Sequence, residues 1–291
     1  MVHYNIAFKA FSLCLLIGLF TCAFSVSAQD NAKPLVVTSI KPLAIIVKSA
    51  FKDRVRVEYI MPAARSPHDV VIKLSDMRKL SAADLVFWIG PEFETRAAKQ
   101  FVAVSEKKRV TAMALIDSEQ TLTAADSHDH EHSHDVDPHV WLSPTLARQL
   151  VAALSQRLTI KAETIFSQQA EKEVNHLLAK SKNSHYVVHH QAYGYFIEEF
   201  DLQHGLPIRD MLGKQQGTKT QYTLRQKAKE LGVSCVFVEP QHGHKDAEAV
   251  AKDLSVPTKT IDILAVESGT KLPTYEAYIM GLARQFNACF L

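Results

Sequence analysis

Short apolar runs alternate with amphipathic stretches along most of this chain, and that alternation limits the possible folds more than any other feature. Residues 35–39 (Leu-Val-Val-Thr-Ser) are a continuous apolar run, and a helix-forming stretch follows Lys41-Pro42. Residues 54–61, 84–89 and 109–114 read as three more strands, with helical stretches at 75–80 and 92–104 between them. Parallel strands need a crossover rather than a hairpin, and helices are the usual crossover. Strand and helix taken in turn therefore predict a parallel sheet covered on both faces. The pattern then repeats. Strands are expected at 185–190, 206–211, 234–239 and 257–261, and helices at 193–200, 220–231, 245–254 and 273–287. The expected class is α/β, with two similar Rossmann-like lobes.

Between the two sets, residues 145–193 contain neither Gly nor Pro. Leu146, Leu150, Leu154 and Leu158 lie four apart and share one helix face, as do Phe166, Ala170, Val174 and Leu177 to a close approximation. The β-branched pair Thr159-Ile160 marks a break. A second helix over 161–182 would be ~33 Å long at 1.5 Å per residue and would act as a rigid connector. The expected divisions are a signal peptide at 1–28, an N-terminal lobe at 29–160, the connecting helix at 161–182 and a C-terminal lobe at 183–291.

The signal is read from Lys9, the apolar stretch 11–24 and the small residues Val26-Ser27-Ala28, a cleavage site that starts the mature chain near Gln29. A lipid anchor on Cys22 is the alternative, and Phe20-Thr21 before it matches poorly. No later stretch is long and apolar enough to cross a bilayer. Removal of the signal leaves Cys235 and Cys289. In an oxidising compartment one disulfide is the simplest assignment. It would close a loop of roughly 55 residues, worth about 4 kcal/mol in the chain-entropy treatment. The mature balance is 32 basic against 31 acidic residues, which argues for no nucleic-acid partner.

Chemistry concentrates in residues 127–144. His128, His130, His132 and His134 alternate with acidic and small residues within a loop at 126–136. Such a tract has nothing to pack and should be solvated. Its imidazoles, with ordinary values of ~6.5, are mostly neutral near pH 7 and can take a divalent metal. The sequence then turns apolar at Asp137-Pro138-His139-Val140-Trp141-Leu142, and Ser143-Pro144 reads as a cap with Pro at the first helical position. In doubly wound sheets, ligands sit beyond the carboxyl ends of the strands. His68, His139, the pair His189-His190 and Asp262 all fall at such ends, facing an interlobe cleft. Adjacent strand residues point to opposite faces, so one of His189 and His190 can enter it.

Several segments resemble the metal-binding proteins that serve ABC importers, and in particular the periplasmic zinc-binding ZnuA type. They are Val37-Thr38-Ser39-Ile40-Lys41-Pro42-Leu43, Ser66-Pro67-His68-Asp69, residues 83–92, His139-Val140-Trp141-Leu142-Ser143-Pro144, residues 190–196 and residues 236–241. The resemblance runs from about residue 35 to the end. It implies that His68, His139 and His190 are metal ligands, that Cys235 and Cys289 form a disulfide, and that the His-rich insertion is a zinc-type trait. It also implies a periplasmic monomer that captures Zn2+ and passes it to an ABC transporter membrane permease. Pro67 and Gln191 depart from residues frequent in the family, and both leave the fourth ligand open, with Asp262 as a candidate.

Three imidazoles suit tetrahedral zinc at ~2.0–2.1 Å, whereas manganese favours more oxygen ligands. Asp262 matches the acidic ligand of manganese-type members, so a manganese or iron binder is the alternative, beside an adhesin of the same fold. A zinc hydrolase would need a general base, and the chain has no His-Glu-x-x-His helix, Gly-x-Ser-x-Gly elbow or phosphate-cradling loop. The expectation is a binding protein rather than an enzyme.

Overall fold

The computed structural model describes residues 33–116, 120–122 and 136–291. The expected signal peptide, with Cys22, and His128, His130, His132 and His134 lie outside the described residues. Lys33–Leu291 forms one compact unit.

Two four-stranded parallel sheets share one topology. The first joins Leu35–Thr38 (β1), Arg56–Tyr59 (β2), Leu85–Trp88 (β3) and Arg109–Thr111 (β4) in the order β2-β1-β3-β4. The second joins Val187–His190 (β5), Leu206–Arg209 (β6), Val236–Val238 (β7) and Thr258–Thr260 (β8) in the order β6-β5-β7-β8. The residue pattern explains which strands are central. β1, β3, β5 and β7 are buried along their whole length, as unbroken apolar runs must be when helices cover both faces. β2 alternates Arg-Val-Glu-Tyr and is exposed at every second residue, so it can only be an edge.

Helices Lys41–Phe51 (α1), Leu74–Ala82 (α2), Ala98–Val102 (α3) and Pro144–Leu158 (α4) belong with the first sheet. Gln168–Leu178 (α5) follows, and Gly194–Glu199 (α6), Thr218–Leu231 (α7), Lys245–Leu254 (α8) and Tyr275–Asn287 (α9) belong with the second. α4 begins as expected, with Ser143 Oγ accepting the Leu146 amide at 3.1 Å and Pro144 at the first turn. Gly232 closes α7 in the left-handed region at φ 62°, where a side chain would be strained.

The continuous helix expected over 161–182 is not formed. Thr159 turns left-handed at φ 55° and ends α4. The next segment runs without regular structure and spends its hydrogen bonds on tertiary partners, with the Glu163 amide donating to the Ala50 carbonyl at 2.9 Å. Ile165 and Phe166 enter the core, and the Ser167 hydroxyl then caps α5. α5 has 11 residues and spans ~16 Å, not ~33 Å. Burying two large side chains outweighed the helical continuity that local propensity favoured.

The helix expected over 92–104 shrinks likewise to α3. The Glu94 carboxylate accepts the Ile89 and Gly90 amides at 3.1 and 2.9 Å and holds residues 89–94 in a turn. The Phe93 carbonyl is thereby kept out of a helix and free for another partner.

The two lobes share one core. A single apolar cluster runs from β1 and α1 through α4 and α5 to α9, Tyr186 and Phe237, and a smaller one lies under α7 and α8. Polar contacts cross as well. Trp141 donates its indole N–H to the Ile263 carbonyl at 3.1 Å. Glu199 of α6 accepts from Ser143 and, at 2.8 Å, from the Thr145 hydroxyl, which caps α4 a second time. Buried Lys41 donates to Ala265 O, Ser268 Oγ and Gly269 O at 2.5, 2.6 and 2.7 Å. The Cys235–Cys289 disulfide is formed, with Cα atoms 5.8 Å apart, and ties the end of α9 to the start of β7.

Candidate metal centre

His68, His139 and His190 come together. Each offers one ligand atom, and these atoms lie within 4.8 Å of one another. Their ring centroids stand 5.4 to 6.3 Å apart, and all three residues are buried. The positions follow from the chain. His68 sits in the 3-10 turn Pro67–Asp69 beyond β2, His139 precedes the 3-10 turn Val140–Leu142, and His190 is the last residue of β5.

Each ring is held by its Nδ1. His68 Nδ1 lies 3.1 Å from the Phe93 carbonyl that the turn at residues 89–94 leaves free. His139 Nδ1 lies 2.7 Å from Asp137 Oδ1, which also accepts the His139 amide at 2.9 Å. His190 Nδ1 lies 2.6 Å from Glu239 Oε1. A carbonyl or carboxylate can only accept, so each Nδ1 carries a proton and Nε2 is the ring atom left for a metal. Acceptors behind the ligating imidazole fix tautomer and orientation in metal sites. Two of the three acceptors are carboxylates, and together they can balance a divalent charge.

Burial keeps the His68 and His139 rings neutral. His68 is pushed down to about 2, first by burial and then by the neighbouring His139 and His190. His139 is also pushed down by burial, with Asp137 opposing. For Glu239, burial acts upward, but the His190 contact and further hydrogen bonds prevail and hold the carboxyl at about 2. Tyr193 donates to the same Oε1 at 2.6 Å, and Gln241 donates to Oε2 at 2.5 Å. Phe93 packs edge-on against His68 and His139, and Trp141 flanks His139, so one wall of the centre is aromatic and dry.

The other expected residues lie elsewhere. His189 faces away from the three rings, with Nε2 3.1 Å from Asp246 Oδ1, while Arg209 holds Oδ2 at 2.6 Å. Asp262 is buried but does not join the cluster. Its two oxygens accept the Val266 and Glu267 amides at 2.9 and 2.8 Å and shape the loop that receives Lys41. A carboxylate spent on two backbone amides is stabilised where it is. Sequence reasoning missed Phe93, Asp137, Glu239 and His242, the last of which forms a second close group with His190 and Glu239. Glu239 directly follows β7, and the rule that placed His190 at a strand end applied to it equally.

The sequence profile of the family described as "zinc-uptake complex component A, periplasmic" matches residues 36–289. The high-affinity zinc uptake system protein ZnuA of Yersinia pestis is 29% identical, with 89% of this chain and 92% of the relative aligned. The Haemophilus influenzae protein of the same name is 27% identical over 90% and 95%. Among solved structures, the periplasmic zinc binding protein TroA from Treponema pallidum superposes with a TM-score of 0.72 at 20% identity, covering 88% of this chain and 99% of that one.

Proposed function

The chain belongs to the periplasmic zinc-uptake complex component A family, and from that membership we propose that the zinc it carries is held in the cleft by Nε2 of His68, His139 and His190. It is a zinc-binding solute-binding protein of ABC zinc uptake. Zinc is its cargo, and members of the family work with an ABC permease.

One observation carries the ligand reading. Three buried imidazoles converge with every Nδ1 tied to an acceptor. That arrangement presents three imidazole nitrogens to one point, which suits tetrahedral zinc and is poor in the oxygen ligands manganese prefers. The fourth position is assigned to water or an incoming group, since Asp262 is engaged by its own loop. The protein acts as a monomer in the periplasm after signal cleavage near residue 28. The tract with His128, His130, His132 and His134 collects zinc, and its short chain tether to His139 raises the effective concentration of the captured ion.

Competition between zinc and manganese against a calibrated chelator tests this reading. One zinc should bind far more tightly than manganese. Equal retention of the two metals would contradict a three-nitrogen site.

A further inference from the structure

The C-terminal wall of the cleft holds a second group of ligand atoms that the three-His reading does not use. His190, Glu239 and His242 each offer an atom within 4.8 Å of the others. His242 Nε2 stands 4.0 Å from Glu239 Oε2. Two ligands of a tetrahedral zinc at ~2.0–2.1 Å stand ~3.3 Å apart, so a shift of well under 1 Å closes this pair on a metal. His242 is partly open at the rim, and its ring lies 5.1 Å from those of both His190 and His189.

We propose that Glu239 and His242 form a second zinc position beside His190, weaker than the three-His site and lying between it and the rim. The inference rests on the three-His reading, because it makes His190 the residue both positions touch. When the main site is filled, His190 Nδ1–H stays on Glu239 and the second position is left with Glu239, His242 and water. When the main site is empty, His190 can join the second position through Nδ1, whose proton is released to solvent as zinc takes its place between the ring and Glu239. Because His190 is shared, the two positions compete, and the second loosens as the inner site fills.

The test uses the full chain with His128, His130, His132 and His134 replaced by Ser, so that only the cleft is read. In that background H68A/H139A removes two of the three main ligands. Zinc titration should then show one residual zinc of weaker affinity. Adding H242A should weaken this binding at least about tenfold, the scale of losing a metal-site group, and H242D, which restores a ligand, should recover it. H68Q/H139Q serves as a second background if the Ala pair fails to fold. Residual binding that ignores H242A, or no residual zinc at all, overturns the second position alone. Tight binding left intact by H68A/H139A overturns the three-His reading, and this inference with it.

Discussion

The three nitrogens proposed as ligands differ in what stands behind them, and the consequences are measurable residue by residue. Replacing His68, His139 or His190 with Ala removes a proposed ligand and should weaken zinc binding by orders of magnitude in a chelator titration. His189→Ala should do much less, because its ring is tied to Asp246 on the far side of β5. Equal damage from His189→Ala and His190→Ala would contradict the alternation of strand faces. Acid sensitivity follows from the same burial. His68 is held at about 2 in the fold, whereas a free imidazole titrates near ~6.5. Below ~6.5 the unfolded chain takes up a proton that the folded chain refuses, so metal-free stability should fall as pH drops from ~6.5 toward 2. His68→Gln should flatten that fall in melting temperature between pH 6.5 and 4. A slope equal to the parent's would mean that His68 titrates normally in the fold.

At the scale of elements, short turns rather than long helices place the site. The shortening of the expected helix at 92–104 frees the Phe93 carbonyl for His68, and the first turn of α6 is pressed against the support of His139. A Cβ on Gly194 would come within 2.7 Å of Asp137 Oδ2 and 3.2 Å of Leu122 Cδ1. A contact below 3 Å forces movement, and the carboxylate that must move orients the His139 ring through its other oxygen, Oδ1. Gly194→Ala should therefore lower zinc affinity by about tenfold, the scale expected when support behind a ligand is disturbed. An affinity matching the parent's would show that Asp137 can shift without carrying His139 with it.

Taken whole, the molecule has two sheets but one main core, and this bears on how it opens. α9 packs on α5 and α1, Lys41 of the first lobe is anchored in the loop Ala265–Gly269, and Glu199 caps α4 across the lobes. Rotating one lobe about a wide hinge would expose the apolar cluster they share and leave the Lys41 ammonium buried without acceptors, a costly state for a charge. A small tilt with local loop ordering is the cheaper motion. Small-angle scattering of metal-free and zinc-loaded protein should give nearly superimposable curves. A change of the size seen in wide hinge closure would refute a rigid connection, even though the connector is an irregular segment and one 11-residue helix.

Much of this was legible before any coordinates. Alternating strand and helix signals marked the two parallel-sheet lobes, because a residue's face depends on sequence period alone. His68, His139 and His190 were findable because the parallel topology sends every strand's carboxyl end to one side. The length of the connector, the acceptors behind the imidazoles and the diversion of Asp262 to its own loop were not findable. Each depends on which distant group competes for a hydrogen bond or a buried surface. Phe166 left a helix for a core built largely by other segments, and Asp262 accepts two amides four and five residues ahead. Period and composition describe one segment at a time, and only the packed chain decides between partners.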